Sequence, residues 1–270
     1  MHLSFTSHSK VLAGFAAILC LSGISSLAQT PTNGATINVP ASAAFRTTPF
    51  TIAGDGLLGE YWKRPINSIP TTGATIASNR LDTLIKGFGT ANGTFKSTAM
   101  SYPGNDLTPV QTWLGINGAS FTGTAGNLDD AAFRFKGYIN INAAGTLNLG
   151  TTSDDGSRIT IGGIDIVNND SGHGDQTRDT TVNFASAGVY PIEVTYFNGD
   201  WTSDGTGALL NHSGNTNASV HGGANFSLRV ANGLLPASVA SQLFFTVPEP
   251  STIVLGALGT VALLAFRRRK

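Results

Sequence analysis

The residues best suited to chemistry in this chain are Ser153-Asp154-Asp155-Gly156-Ser157. Two adjacent carboxylates on a glycine-containing turn concentrate negative charge and hard oxygen donors. That suits Ca2+, provided nearby carbonyls and amides bring the ligand count to about six to eight. The competing reading is structural, because Asp commonly closes a turn by accepting hydrogen bonds from backbone amides just beyond it. A second candidate is the segment from Asn198 to Ala224, 27 residues rich in Gly, Ser and Asn. Irregular loops longer than about 12 to 15 residues are usually functional or disordered. This one holds Asn198, Asp200, Trp201, Asp204, Asn211 and His212.

Other chemistries find less support. The only cysteine, Cys20, sits in an N-terminal apolar stretch, so Cys-ligated metals, disulfides and a Cys nucleophile are excluded once that stretch is removed. His173, His212 and His221 show no zinc-like spacing. Gly54-Asp55-Gly56-Leu57-Leu58-Gly59 fits a dinucleotide-binding pattern by spacing, but Glu60-Tyr61-Trp62 follows where a helix is required. No Gly-x-Ser-x-Gly elbow occurs. A glycosidase needs two carboxyls about 5 to 9.5 Å apart across its substrate, which neighbouring Asp154 and Asp155 do not obviously offer. Glu60 and Glu193 fall on expected strands, and nothing marks Asp129, Asp130 or Asp175 as catalytic.

The charge balance excludes a nucleic-acid partner. Sixteen basic residues face sixteen acidic ones, and four of the basic residues are Arg267 to Lys270. The middle of the chain is therefore mildly acidic, without the basic patch that phosphate binding demands. Charged residues make up 12% of the chain and there are 33 glycines, which argues against long charged helices.

The elements that must position the candidate residues are β-strands. Phe133, Phe135, Gly137, Ile139 and Ile141 share one parity, and Arg134, Lys136, Tyr138 and Asn140 the other, the pattern of a half-buried strand. Leu147 and Leu149, Ile159 and Ile161, Ile164 and Ile166, and Val182 and Phe184 repeat it. So do Tyr190 through Tyr196 and Phe226 through Val230. Gly162-Gly163 between two such runs predicts a two-residue hairpin with positive φ. Short turns without intervening helices predict an antiparallel β-sandwich or barrel. One short helix is expected around Leu81, Leu84 and Ile85, ending at Gly87.

Both ends read as addresses. Lys10, the apolar run Val11 to Leu21 and the small-any-small site Ser26-Leu27-Ala28 predict a signal peptide over 1–28. Residues 29–49 and 231–247 are expected to be linkers around a domain at 50–230, although Phe244 and Phe245 can pair with its edge. Ile253 to Phe266 is apolar and Arg267 to Lys270 is basic, which predicts a tethered C-terminal helix whose basic end stays cytoplasmic. Val247-Pro248-Glu249-Pro250-Ser251-Thr252 ahead of that helix resembles the PEP-CTERM tripartite sorting tail, over 248–270. The resemblance implies an exosortase that cuts at Pro248-Glu249-Pro250 in the inner membrane. It also implies delivery to the cell surface or an extracellular matrix.

The middle of the chain resembles a PA-fourteen domain, the β-rich module named after protective antigen. Gly56 to Trp62 is similar to its opening strand, Phe133 to Ile139 to its central strand, and Ser153 to Gly163 to its Ser-Asp-Asp-Gly-Ser turn and following hairpin. Asn169 to Gly174 and Ala187 to Phe197 follow in family order, where His173 suits a turn-stabilising role. In carbohydrate-binding members, an Asp-Asp pair with a cis peptide holds Ca2+, which in turn binds sugar hydroxyls, and the late loop supplies further ligands. The resemblance thus implies Asp154 and Asp155 as metal ligands and, with Asn198, Asp200 and Trp201, as a glycan site. The expected function is a non-catalytic, exported module that binds a glycan or exopolysaccharide. A structural matrix protein is the alternative, and a polysaccharide hydrolase a less favoured one.

Overall fold

The alternation from Ala131 to Ile141 builds one of two 11-residue strands of the core, with Phe133, Phe135, Ile139 and Ile141 buried along one face. It belongs to the computed structural model of the chain, which describes residues 34–51, 53–64, 85, 87–199, 223–230, 233–234 and 243–244. The expected signal peptide and sorting tail lie outside these residues, as do Leu81 and Leu84. Among the described residues no helix is long and apolar enough to cross a membrane.

The strands are β1 (Thr36–Val39), β2 (Leu57–Lys63), β3 (Gly93–Ser97), β4 (Ser101–Tyr102), β5 (Thr122–Gly123), β6 (Ala131–Ile141) and β7 (Gly145–Asp154). They continue with β8 (Ser157–Ile161), β9 (Ile164–Asn169), β10 (Gln176–Phe184), β11 (Gly188–Asn198), β12 (Asn225–Val230), β13 (Gly233–Leu234) and β14 (Leu243–Phe244). Two sheets form. One runs β1-β10-β7-β12-β13 with β4 also on β12; the other runs β5-β3-β2-β6-β11-β8-β9 with β14 also on β6. Among the described residues all strand pairings are antiparallel except β1 with β10. The result is an all-β fold.

Apolar side chains from the two sheets fill one core. Tyr61, Phe133, Phe135 and Tyr196 from one sheet meet Phe226 from the other, with Tyr102 and Trp113 among them. Trp113 comes from the helical turn α1 (Val110–Trp113), which continues into a 3-10 helix over Gly115–Ser120. Gly162 and Gly163 join β8 to β9 with φ of 57° and 81°, the geometry expected of that hairpin. The expected helix is seen only at Ile85 and Gly87, which are helical; Ile85 is buried with Trp62, Ala132 and Phe197.

The domain reaches beyond the expected limits of 50–230. Within the expected linker 29–49, Ile37 and Val39 of β1 are buried and pair with Val182 and Phe184. Farther along, the Phe50 amide donates to Asn140 Oδ1 and its carbonyl accepts from Asn140 Nδ2. Within 231–247, β13 pairs antiparallel with the end of β12, and Leu243 and Phe244 pair with Ile139 and Tyr138 of β6. Strands of two to four residues carry too few alternations to stand out from linker composition.

Candidate functional site

β7 lies in one sheet and β8 in the other, so the chain changes sheets at Asp154-Asp155-Gly156. The turn therefore sits at one end of the sandwich. Its glycine answers to space: a Cβ at Gly156 would lie 2.2 Å from the Phe197 ring and 2.9 Å from the Ser171 carbonyl oxygen. Beneath the turn, Ser153 Oγ and Ser157 Oγ are 2.8 Å apart. Ser157 also donates to Thr151 Oγ1, and Asn169 Nδ2 donates to Ser153 Oγ. The Tyr196 hydroxyl donates to the Asp154 carbonyl at 2.7 Å. The peptide bond between Asp154 and Asp155 is cis, the isomer the family resemblance attaches to calcium-holding members.

The two carboxylates are held differently. Asp155 is 3% exposed; its Oδ1 accepts the His173 amide N–H at 2.8 Å and its Oδ2 that of Gly199 at 2.9 Å. It thus ties down two loops 18 and 44 positions further along the chain, where the structural reading of the turn expected bonds to amides just beyond it. His173 takes the turn-stabilising place foreseen for it, with ring nitrogens 2.7 and 3.1 Å from the carbonyls of Gly174 and Asn169. Asp154 is half-buried, and a Cβ on Gly223 would come within 2.5 Å of its Oδ2. Only glycine at 223 leaves that oxygen its room.

Burial pushes both carboxyls up to about 7. At Asp154 the negative charges of Asp155 and Asp175 add to the effect, His173 opposes it, and Asp106 adds again. At Asp155 the two amide donors oppose the effect, while Asp106 and Asp130 add to it. Two carboxylates at this end thus bind protons far more tightly than in water, the electrostatic situation a divalent cation relieves.

Tertiary structure adds residues that sequence reasoning passed over. Asn105 and Thr108 close a tight turn through Asn105 Oδ1, and Asp106 at its tip is turned inward, 2% exposed. The Asp106 carbonyl accepts the amides of Leu128 and Asp129, and its Oδ1 accepts Asn198 Nδ2 at 2.7 Å. Asn198, at the end of β11, also donates to the Leu128 carbonyl at 3.0 Å. Its Oδ1 is buried without a hydrogen-bond partner. An orphaned buried acceptor costs about 1 to 3 kcal/mol, a cost that a water or a cation relieves. Asn225, opposite Asp154 in register, reaches Asp175 at 3.2 Å. Asx-turn residues at 105–108 announce a turn, but nothing in them says that Asp106 faces the core. Of the other acids, Asp129 lies 3.8 Å from Lys63 Nζ, and Glu60 is engaged by Arg134 and Lys136.

Asp154, Asp155 and Asn198 are thus gathered at one end of the sandwich. Asp200 and Trp201 lie outside the described residues, as do Asp204, Asn211, His212, His221 and Pro248-Glu249-Pro250. Among the described residues, no three His, Cys, Asp or Glu side chains form a metal cage by themselves. Ca2+ here would need a mixed donor set, with an amide oxygen such as that of Asn198 and main-chain carbonyls beside the two carboxylates, which is ordinary for that ion.

Comparison with known proteins agrees with this architecture. Residues 110–221 match the family described as the PA14 domain, and residues 246–270 match the PEP-CTERM protein-sorting motif. The PA14 domain of the MpAFP antifreeze protein is a similar solved structure, at 21% identity, TM-score 0.52, and coverage of 76% of this chain and 97% of that one. A PA14 sugar-binding domain from an RTX adhesin is 20% identical at TM-score 0.49, covering 70% of this chain and 99% of its own. The epithelial adhesin 6 A domain of Candida glabrata, solved with Galb1-3GlcNAc, is 13% identical at TM-score 0.44, covering 76% and 96%. No curated protein matches the sequence.

Proposed function

Because the chain carries a PA14 domain and a PEP-CTERM protein-sorting motif, we propose that it is an exported, non-catalytic carbohydrate-binding module. Its sugar site is built on Ca2+ held by Asp154, Asp155 and Asn198. One juxtaposition carries this reading: two carboxylates whose pKa is raised to about 7 stand at the sandwich end where Asn198 keeps a buried oxygen without a partner.

When bound, Ca2+ supplies open coordination positions for neighbouring sugar hydroxyls. The chain does the rest. Amides of His173 and Gly199 fix the Asp155 carboxylate. Gly223 leaves the Asp154 carboxylate room at the rim. Trp201 offers a ring to a sugar face and Asp200 an oxygen. The partner is a glycan or exopolysaccharide. In the tail, Pro248-Glu249-Pro250 is the exosortase recognition motif. The apolar stretch Ile253 to Phe266 holds the chain in the inner membrane until processing, after which the domain resides on the cell surface or in extracellular matrix.

A glycan array probed with the purified protein, with and without EGTA, tests this. Binding that disappears with chelator is expected. Absence of binding to every glycan under both conditions overturns it and leaves an exported structural matrix domain. Calorimetric titration with calcium chloride locates the ion: a saturable site in the wild type should vanish in Asp154→Ala and Asp155→Ala.

A further inference from the structure

Asn198 can serve a cation only if its amide faces the right way. The amide is planar, with a donor and an acceptor on opposite sides of one bond, so whatever binds its nitrogen dictates where its oxygen goes. Two acceptors bind the nitrogen: Asp106 Oδ1 at 2.7 Å and the Leu128 carbonyl at 3.0 Å. Neither can donate to a flipped amide. The oxygen is therefore forced to the other side, where it is buried and has no hydrogen-bond partner. The main chain beside it is the segment docked on the candidate site, since the next residue's amide, Gly199 N–H, donates to Asp155 Oδ2 at 2.9 Å.

We propose that Asp106 is a positioning residue for the cation site, holding the Asn198 amide so that Oδ1 is presented to Ca2+. The inference rests on the calcium reading above. Asp106 is itself fixed for the purpose. Its residue is 2% exposed, its carbonyl accepts the amides of Leu128 and Asp129, and the Asn105–Thr108 turn holds the chain on either side. Partners of this kind, one bond removed from a metal, commonly alter affinity by about 10- to 100-fold when changed.

The isosteric change Asp106→Asn separates orientation from packing. An asparagine at 106 still accepts from Asn198 through its own oxygen, yet it can also donate, so the flipped amide becomes permissible. Calcium titrations are run on the purified full chain in detergent, for the wild type, Asp106→Asn, Asp130→Asn, Asn198→Ala and the Asp106→Asn/Asn198→Ala double variant. Asp130→Asn is the charge control, because Asp130 also bears electrostatically on Asp155. We expect Asp106→Asn to weaken calcium by about tenfold or more, well beyond Asp130→Asn, with a calcium-free melting temperature close to wild type. In the Asn198→Ala background the same change should add no more than Asp130→Asn does. Equal weakening by Asp106→Asn and Asp130→Asn overturns the positioning role and leaves only charge. Absence of calcium binding by the wild type overturns the calcium reading itself, and this inference with it.

Should Asp106→Asn fail to fold, the exchange Asp106→Asn with Asn198→Asp keeps the net charge and reverses the hydrogen bond. An asparagine at 106 then donates to a carboxylate at 198, whose second oxygen needs no orienting. A folded exchange variant that binds calcium more tightly than Asn198→Ala supports the proposal, and one that binds no better overturns it.

Discussion

The Tyr196 hydroxyl donates to the main-chain carbonyl of Asp154 across 42 positions of sequence, at 2.7 Å, and so ties the aromatic core to the acidic turn. The Tyr196 ring stacks on Trp113, Phe133 and Phe226, at centroid distances of 5.6, 5.7 and 5.1 Å. Burial, with the charges of Asp155 and Asp154 behind it, holds its phenol far above the usual range, so it stays a donor at every working pH. Tyr196→Phe keeps the packing and removes only that donor. A stability loss of about 1 kcal/mol is expected in urea unfolding, because a partly buried carbonyl loses this hydrogen bond. Calcium affinity, read by calorimetry, should fall with it.

The carboxyl pair sets a pH dependence whose sign is definite. Both groups have folded pKa values of about 7, raised by burial above the ordinary carboxyl value of 3.8. The folded state therefore binds protons more tightly than the unfolded chain, and the resulting stabilisation is complete below about pH 4 and lost as pH rises through about 7. Metal-free protein in EGTA should show urea midpoints that fall from pH 5 to pH 8. Asp155→Asn should flatten that fall, and calcium should offset it at pH 8. Midpoints that rise over the same range would contradict the burial of the pair.

Trp113 should be the most costly core residue near the site. It is 2% exposed, its Nε1 donates to the Ala224 carbonyl at 2.7 Å, and its ring lies 4.6 Å from both Tyr102 and Phe133. Trp113→Ala opens a cavity and orphans that carbonyl, so a loss of about 3 to 5 kcal/mol is expected by chemical denaturation. Ala224 follows Gly223, so the same variant should also weaken calcium binding.

Gly223→Ala tests the rim of the site. A Cβ there meets Asp154 Oδ2 at 2.5 Å, which forces the carboxylate to move while leaving the core untouched. A stability cost of about 1 to 3 kcal/mol is expected from overpacking, with a larger proportional loss of calcium affinity in titration. Unchanged affinity would show that Asp154 Oδ2 is not a ligand.

The parts of the site legible in sequence were those whose cause is local. Ser153 to Ser157 announces a polar turn within five residues, and Gly162-Gly163 announces its hairpin because only glycine readily takes φ of 57° and 81° in succession. Phe133 to Ile141 displays its buried face through its own alternation. β1 was hidden because four residues give two alternations, and its partner β10 lies far along the chain. Asp106 was hidden because an Asx turn specifies its hydrogen bonds but not which side of it meets solvent.

Sequence by itself determined the all-β class, the turn that carries Asp154 and Asp155, and the residues of the sorting motif, because periodicity, turn chemistry and short linear motifs act over a few neighbours. Only the tertiary structure decided that the turn crosses from one sheet to the other and that Asp106, Asp130 and Asp175 bear electrostatically on it. The same packing leaves Asn198 Oδ1 buried without a donor. Burial and repulsion between carboxylates depend on which loops share one end of the sandwich, and that follows from strand order rather than from any single segment.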